Sequence, residues 1–234
     1  MLSKTIATFL LVTGLMQNSF FCTMPDRNIN NELFLVNRNY LVSSEYSPEI
    51  STISAYGVTR EISSTILDPL NELVAGAKSD GLDMHIVSGY RSYKKQTKVF
   101  DKKMDTVKDI DKALDFVALP GSSEHQLGIC ADVSYDNWRG INGSFANTKQ
   151  GKWIKENCYK YGFIVRYPYE YENITGYKYE PWHIRYIGKE NALKIKELGD
   201  IPLEYYVSRL RKNKYIEILN SEQFKWKYDK FKNR

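Results

Sequence analysis

The chain has 234 residues, of which 42% are hydrophobic and 14% aromatic, and its formal net charge is +5. This length allows one domain with a substantial core or at most two small ones, and the hydrophobic content is ordinary for a globular protein. The three cysteines, Cys22, Cys130 and Cys158, form no CxxC pair, which excludes a zinc knuckle and a thioredoxin-type redox motif. A Cys130–Cys158 disulfide stays open, with small buried thiols as the preferred alternative.

The N-terminus has the features of a targeting segment. A lysine precedes the mostly apolar run 6–16, which is too short for a membrane-spanning helix of about 20 residues but has the length of a signal-peptide core. Cys22 would suit lipid modification, but the bulky Phe20 and Phe21 before it argue against that processing. Residues 1–22 are therefore predicted to be a signal peptide or an N-terminal membrane anchor, and the protein to be exported to a bacterial cell envelope.

A first helix is predicted after a short extended lead-in at 30–42, because apolar residues recur at helical spacing from Glu61 onward. Asp68 and Pro69 suit the N-cap and first position of a helix that restarts there. Gly81 suits its C-terminal end. The inward stripe of this helix consists of Ile62, Ile66, Leu70, Leu73 and Ala77.

The rest of the chain mixes helices and strands. The pattern predicts helices that start at Tyr93, after Asn147 and at Lys189, and strands over 84–88, 127–133, 163–167 and 177–187. The helix from Lys189, closed by Gly199, is predicted to be the last. The final two strands lie close enough to pair through one loop, which favours an α+β fold over a doubly wound parallel sheet. We expect a single domain over 30–206, with a small central antiparallel sheet flanked by helices.

The C-terminal segment 207–234 is basic. It holds nine basic and three acidic residues, a net charge of +6. Such a tail binds an anionic polymer or a membrane surface, but a solvated terminal helix is the preferred interpretation. No nucleic-acid partner is predicted, membrane attachment through the N-terminus stays open, and a monomer is expected.

Two of the three histidines lie close in sequence to carboxylates. His125, Asp132 and His183 form a plausible three-ligand set for a catalytic zinc in a cleft on the sheet, and Glu180 is available as a base. The seven-residue spacing of His125 and Asp132 is not that of an HExxH helix. Each residue taken alone favours a structural role, such as a Glu180–Arg185 ion pair.

Glu180 and His183 would point to opposite faces of a regular strand, since they are three positions apart. Pro181 lies between them, and proline disrupts a central ladder. We therefore predict a kink or bulge at Pro181 that turns both groups toward one metal. Cys130 lies on the same predicted strand face as Asp132. Its thiolate could compete for zinc, but a small filler role is preferred.

Four ordered motifs together resemble the VanY/LdcB-type zinc D-alanyl-D-alanine carboxypeptidases of bacterial cell walls, over about residues 31–206. The motifs are Ser88-Gly89-Tyr90-Arg91-Ser92 with Gln96, Gly121-Ser122-Ser123-Glu124-His125-Gln126-Leu127-Gly128 with Asp132, Gly162-Phe163 with Arg166-Tyr167-Pro168, and Thr175-Gly176-Tyr177 with Glu180-Pro181-Trp182-His183-Ile184-Arg185-Tyr186-Ile187-Gly188.

The resemblance implies one Zn²⁺ per chain, with His125, Asp132 and His183 as its ligands. It also implies that Glu180 is the catalytic base and that Arg91 polarises the scissile carbonyl and stabilises the oxyanion.

The resemblance further implies that Ser123, Gln96, Tyr90 and Trp182 lie at the bound substrate, Trp182 as a wall of the metal pocket. The implied function is hydrolysis of the terminal D-Ala of peptidoglycan stem peptides or their precursors by metal-activated water. Two alternatives stay open: an L,D-carboxypeptidase acting on tetrapeptide stems, and a non-catalytic peptidoglycan-binding module. Cys130 departs from the family, which usually has alanine there.

Overall fold

The structure is a computed structural model and describes residues 31–114, 116–136 and 141–220. Its strands are β1 (Ile50–Ala55), β2 (Val58–Ser63), β3 (His85–Ser88), β4 (Cys130–Ser134), β5 (Phe163–Tyr167) and β6 (Glu180–Tyr186). Its α-helices are α1 (Leu67–Ser79), α2 (Tyr93–Val107), α3 (Ile110–Leu114), α4 (Lys149–Asn157), α5 (Glu172–Thr175), α6 (Lys189–Glu197) and α7 (Leu203–Asn220).

The strands form a two-stranded hairpin, β1-β2, and a four-stranded sheet in the order β3-β4-β6-β5. Every neighbouring pair is antiparallel. The expected α+β fold with a small antiparallel sheet is therefore confirmed. Strand β4 is buried along its whole length and pairs with β3 on one side and β6 on the other. Residues on β4 and β6 consequently lie at the centre of the domain.

The prediction of a helix from Glu61 is wrong, because residues 58–63 form strand β2. The hairpin turns at Tyr56 and Gly57, whose φ angles are 51° and 76°. Two consecutive residues with positive φ suit the tight turn that matches the twist of a two-stranded hairpin. Ile62, expected on the helical stripe, is fully buried from the strand instead. An apolar residue such as Ile62 lies on the buried side both of a helix with apolar residues about every four positions and of a short strand with alternating side chains. The sequence pattern therefore does not distinguish a helix from a strand here.

Helix α1 begins just after this hairpin and not at Asp68. Ser63 caps the short 3-10 turn Ser64–Ile66, its side chain accepting from the Thr65 backbone N–H, and the α-helix continues from there. Asp68 and Pro69 thus lie inside the first turn, where a carboxylate is favourable and a missing N–H costs little. The helix ends just before Gly81, whose φ of +76° confirms the predicted stop.

Helix α6 is followed by a further helix, α7, so the helix from Lys189 is not the last, and residues 207–220 of the basic segment are helical, as its preferred interpretation expected. Leu203, Tyr206 and Val207 on α7 are buried in a second hydrophobic cluster, which also contains residues from the lead-in and α6. The helix is continuous across the boundary expected between residues 206 and 207, and its first turns contribute the side chains that join that cluster.

Residues 1–22 and 221–234 lie outside the described part of the chain. Within that part, none of the helices has the length and apolar character required to cross a bilayer. Cys130 and Cys158 are both buried free thiols, so the disulfide alternative is wrong and the preferred interpretation holds.

Candidate metal centre

The three predicted metal ligands meet at the centre of the sheet. Asp132 on β4 pairs in register with His183 on β6, and His125 comes from the 3-10 turn Glu124–Gln126 that leads into β4. The Asp132 carboxylate lies 3.2 Å from His125 Nε2 and 3.0 Å from His183 Nδ1. All three residues are buried. Donor atoms that share one tetrahedral zinc lie about 3.3 Å apart, given bond lengths near 2.0–2.1 Å.

The tautomer of His125 is set by its second ring nitrogen. Nδ1 lies 2.6 Å from the Gly89 backbone carbonyl, and a carbonyl only accepts, so Nδ1 must donate. Nε2, 3.2 Å from the Asp132 carboxylate, is then the ring nitrogen that is available to a metal. A backbone carbonyl behind a metal-binding imidazole is a recurring way to orient such a ligand.

The predicted distortion at Pro181 is confirmed. Between the pairs Val165–Ile184 and Tyr167–Glu180, strand β5 has one residue and strand β6 has three, the first of which is Pro181. The extra length bulges β6, and Glu180 and His183 now face the same space, with Glu180 Oε2 3.9 Å from His183 Nδ1. The proline fits because the bulge needs no ladder N–H at that position.

The two carboxyl groups of the site have opposite electrostatic environments. Burial disfavours the charge of Asp132, but His125 and His183 outweigh it and hold the pKa of Asp132 well below its ordinary value. Burial also raises the pKa of Glu180, to about 7, and the neighbouring His183, His125 and Arg91 oppose this only in part. Two carboxyl groups whose pKa values are shifted in opposite directions supply one permanent anion and one group that exchanges protons near neutral pH.

A cleft of about 240 Å³ opens over this centre. Its lining includes the three predicted ligands together with Glu180, Arg91, Ser123 and Trp182. Two hydrogen bonds fix the Arg91 guanidinium. Its Nη1 donates to Gln96 Oε1 at 2.7 Å and its Nη2 donates to Ser88 Oγ at 3.3 Å.

Gln96 and Tyr90 are not among the residues that line this cleft, and the substrate contacts expected of them stay predictions. Gln96 is fully buried on the inner side of α2 and donates its amide N–H to the Ala118 carbonyl at 2.6 Å, so it orients Arg91 instead. The Tyr90 hydroxyl lies 3.3 Å from that of Ser47, because the Tyr90 backbone is bonded to the β1-β2 hairpin.

Cys130 lies beside the two histidines. Ligand atoms of His125, Cys130 and His183 are all within 4.8 Å of one another, although the Cys130 side chain has no solvent exposure. Burial opposes ionisation of the thiol, but the two imidazoles lower its pKa to about 7. The thiol is therefore a potential fourth donor for a metal. It lies closer to the two histidines than the role of a small filler residue would require.

Glu124 is a site residue that the sequence reasoning missed. Its Oε1 accepts from Arg166 Nε at 2.7 Å and from Arg185 Nη1 at 2.6 Å, so Arg185 pairs with Glu124 and not with Glu180. Its Oε2 lies 3.7 Å from His183 Nε2. Burial opposes its charge, but the two guanidinium groups hold its pKa well below the ordinary range. The available signal was a pair of arginines on two adjacent predicted strands, which need a buried anion.

The residues present suit a zinc ion. Two imidazole nitrogens and one carboxylate converge from three segments, and the orientation of His125 is fixed from outside. An α+β domain that places such a set beside a nearly neutral carboxyl and an arginine in one cleft has the makeup of a mononuclear metal-dependent hydrolase.

Comparison with known proteins specifies the class further. The profile of the D-alanyl-D-alanine carboxypeptidase family VanY matches residues 59–189, more than half of the chain, and the chain belongs to this family. The putative carboxypeptidase YodJ of Bacillus subtilis (strain 168) is 40% identical over 194 residues, which cover 80% of this chain and 70% of YodJ. A D-alanyl-D-alanine carboxypeptidase of Enterococcus faecalis (strain ATCC 700802 / V583) is 36% identical over 184 residues, 75% of this chain and 65% of the relative.

Solved structures agree with this membership. The LdcB LD-carboxypeptidase superimposes with a TM-score of 0.67 at 39% identity, covering 76% of this chain and 87% of LdcB. A point mutant of the vancomycin resistance D,D-pentapeptidase VanY in complex with Zn(II) gives 0.65 at 35%, covering 76% and 99%. VanYB in complex with D-alanine-D-alanine gives 0.66 at 36%, covering 76% and 98%. The resemblance drawn from the four motifs is confirmed.

Proposed function

We propose that this protein is a zinc D,D-carboxypeptidase that removes the terminal D-Ala from peptidoglycan stem peptides or their precursors at the cell envelope. One observation carries the proposal: the Asp132 carboxylate lies 3.2 Å and 3.0 Å from a nitrogen of His125 and of His183, and Glu180, with a pKa of about 7, opens onto the same cleft. Relatives solved with Zn(II) and with D-alanine-D-alanine support the metal and the substrate class.

Asp132, rather than Cys130, completes the ligand set with His125 and His183 in this proposal. A catalytic zinc keeps one position open for water and substrate. Asp132 is part of the cleft lining, whereas Cys130 is not among the lining residues and has no solvent exposure. A metal held through Asp132 would therefore face the space that a peptide can enter.

Glu180 performs the proton transfers. A bound zinc ion supplies water activation at neutral pH and Lewis-acid polarisation of a carbonyl. Glu180 in its ionised form accepts the proton of the attacking water, and in its protonated form gives that proton to the departing amine of D-Ala. Burial raises the pKa of Glu180 towards neutrality, and a group whose pKa lies nearer the working pH gains and loses a proton at less cost.

Arg91 steadies the substrate carbonyl. Its guanidinium lies in the cleft and is fixed by Gln96 and Ser88, so little reorganisation is needed as negative charge develops on the carbonyl oxygen. The motif suggested that Gln96 contacts the substrate. In this proposal Gln96 orients Arg91, and Arg91 contacts the substrate. Ser123 and Trp182, both on the cleft wall, are proposed to contact the peptide.

The test is a mass-spectrometric assay of the zinc-loaded full chain with pentapeptide and tetrapeptide stems. We expect the pentapeptide to lose one D-Ala and Glu180→Gln to bind zinc but lose at least about 100-fold in rate. Glu190→Gln is the matched control, since Glu190 forms only an exposed ion pair with Lys194. Full activity of Glu180→Gln would refute the assigned base.

A second candidate activity is L,D-carboxypeptidase action, favoured by the 39% identity to the LdcB LD-carboxypeptidase. In the same assay it would convert the tetrapeptide, and not the pentapeptide, to a shorter product. Binding of both stems with no product from either would support a non-catalytic wall-binding module.

We also propose that residues 1–22 direct export, that 30–206 form the catalytic domain and that 207–234 are a basic extension, whose first residue, Val207, still packs into the domain's second hydrophobic cluster. The relatives' cell-wall substrates support an envelope location. N-terminal sequencing of the protein recovered from the envelope and from the medium would show whether 1–22 is cleaved or retained as an anchor.

A further inference from the structure

We propose that Glu124 is a positioning residue for His183: its buried carboxylate accepts the Nε2–H of the imidazole and so fixes the ring for metal binding through Nδ1. The inference rests on the proposed function in one respect, that His183 binds zinc. The role assigned to Glu124 is to orient the His183 ring, which the proposed ligands, the base Glu180 and Arg91 do not do.

Two buried atoms that face each other carry the inference. Among the described residues, His183 Nε2 and Glu124 Oε2 are both buried without a hydrogen-bond partner, and they lie 3.7 Å apart. A hydrogen bond of about 2.7–3.2 Å would need a shift of about half an ångström to one ångström. Burying either group unpaired is unfavourable, and one small rotation satisfies both.

The proton position follows from the other side of the ring. His183 Nδ1 points to Asp132 at 3.0 Å, on the side where the metal would bind. A metal-binding nitrogen carries no proton, so the proton of the neutral imidazole is on Nε2. A carboxylate behind a metal-binding histidine fixes the tautomer, orients the ring and makes the ligand more basic.

The surrounding charges leave Glu124 Oε2 available for this purpose. Arg166 and Arg185 both bind the same oxygen, Oε1. Arg185 is itself held by two backbone carbonyls of the N-terminal lead-in, at 3.0 Å and 2.7 Å. The Glu124 carboxylate is therefore held as an anion, with one oxygen engaged and the other directed at the imidazole.

Glu204 on α7 provides a matched control within the same network. It binds Arg166 with both carboxylate oxygens, at 2.9 Å and 2.7 Å, but of the two carboxylates only that of Glu124 is within 4.0 Å of His183 in the described structure. Neutralising Glu204 weakens the network while leaving the group next to the imidazole in place.

The experiment measures the zinc dissociation constant of the full chain by competition with a chromophoric chelator. We expect Glu124→Gln to weaken zinc binding by about 10–100-fold. Glu204→Gln should lower the melting temperature and keep the zinc dissociation constant within about threefold of wild type. A Glu124→Gln protein that binds zinc as tightly as Glu204→Gln would overturn the positioning role.

A second measurement needs no variant and decides the case if Glu124→Gln fails to fold. In zinc-loaded wild-type protein labelled with ¹⁵N-histidine, we expect His183 to be protonated at Nε2, with a downfield, slowly exchanging proton. Protonation at Nδ1, or a fast-exchanging Nε2–H, overturns the inference. A wild-type protein that binds no zinc would instead overturn the proposed function together with this inference, which separates the two failures.

Discussion

Asp132→Ala and Cys130→Ala together test which donor completes the metal centre. The two side chains are two positions apart on β4 and each approaches both histidines. If Asp132 is the ligand, its removal takes away one of three donors and leaves two imidazoles without their anion. Removal of Cys130 would take away an enclosed thiol and leave the donor set intact.

The magnitude can be worked out as a thermal shift. At free zinc 100 times the dissociation constant, binding stabilises the folded state by about 2.7 kcal/mol, or about 5–11 °C for a chain of this size. If loss of Asp132 weakens binding about 100-fold, the same zinc concentration only equals the dissociation constant, and the gain falls to about 0.4 kcal/mol, or about 1–2 °C.

The assay compares melting temperatures with and without zinc for wild type and both variants. Because each protein is its own reference, any packing loss from the Cys130 substitution cancels. We expect Cys130→Ala to keep the full zinc-dependent shift and Asp132→Ala to lose most of it. The opposite pattern would show that the sulfur, and not the carboxylate, holds the metal, and would refute the argument from cleft access.

Three further predictions concern the catalytic groups and their support. The acid limb of kcat/KM should have a midpoint no higher than about 7, because only ionised Glu180 accepts a proton and a nearby dication lowers a pKa that burial raises to about 7; a pH–rate profile checks this. Arg91→Met should lower kcat by about 10²–10³-fold with unchanged zinc content, measured by steady-state kinetics and metal analysis. Gly89→Ala should destabilise the fold and weaken zinc binding, because the added Cβ would clash with the Glu61 carbonyl oxygen. Thermal unfolding checks this, with Gly143→Ala as the control, because a Cβ at Gly143 meets nothing within 4 Å.

The strands that hold the centre could be predicted because their sequence signals are local. Short apolar runs bounded by turn residues located β4, β5 and β6, and the proline in β6 gave a mechanical reason for the bulge that joins Glu180 to His183. The β1-β2 hairpin could not be recognised by the same method. Its turn is Tyr56-Gly57, in which a tyrosine adopts positive φ, and that residue carries no turn signal of its own.

The partners of the side chains that support the proposed site depend on tertiary structure, which explains why the Arg91 contact of Gln96 and the role of Glu124 were not predicted from the sequence. Both occur in motifs that point to the site, but a motif does not say whether a polar side chain faces the substrate or the back of another residue. That distinction depends on partners remote in sequence: the Ala118 carbonyl for Gln96, and Arg166 and Arg185 for Glu124. Sequence reasoning can require that a buried arginine have an anion. Only the fold shows that the second oxygen of this anion lies 3.7 Å from Nε2 of His183, the proposed metal ligand, and so that an ion network near the core reaches the candidate site.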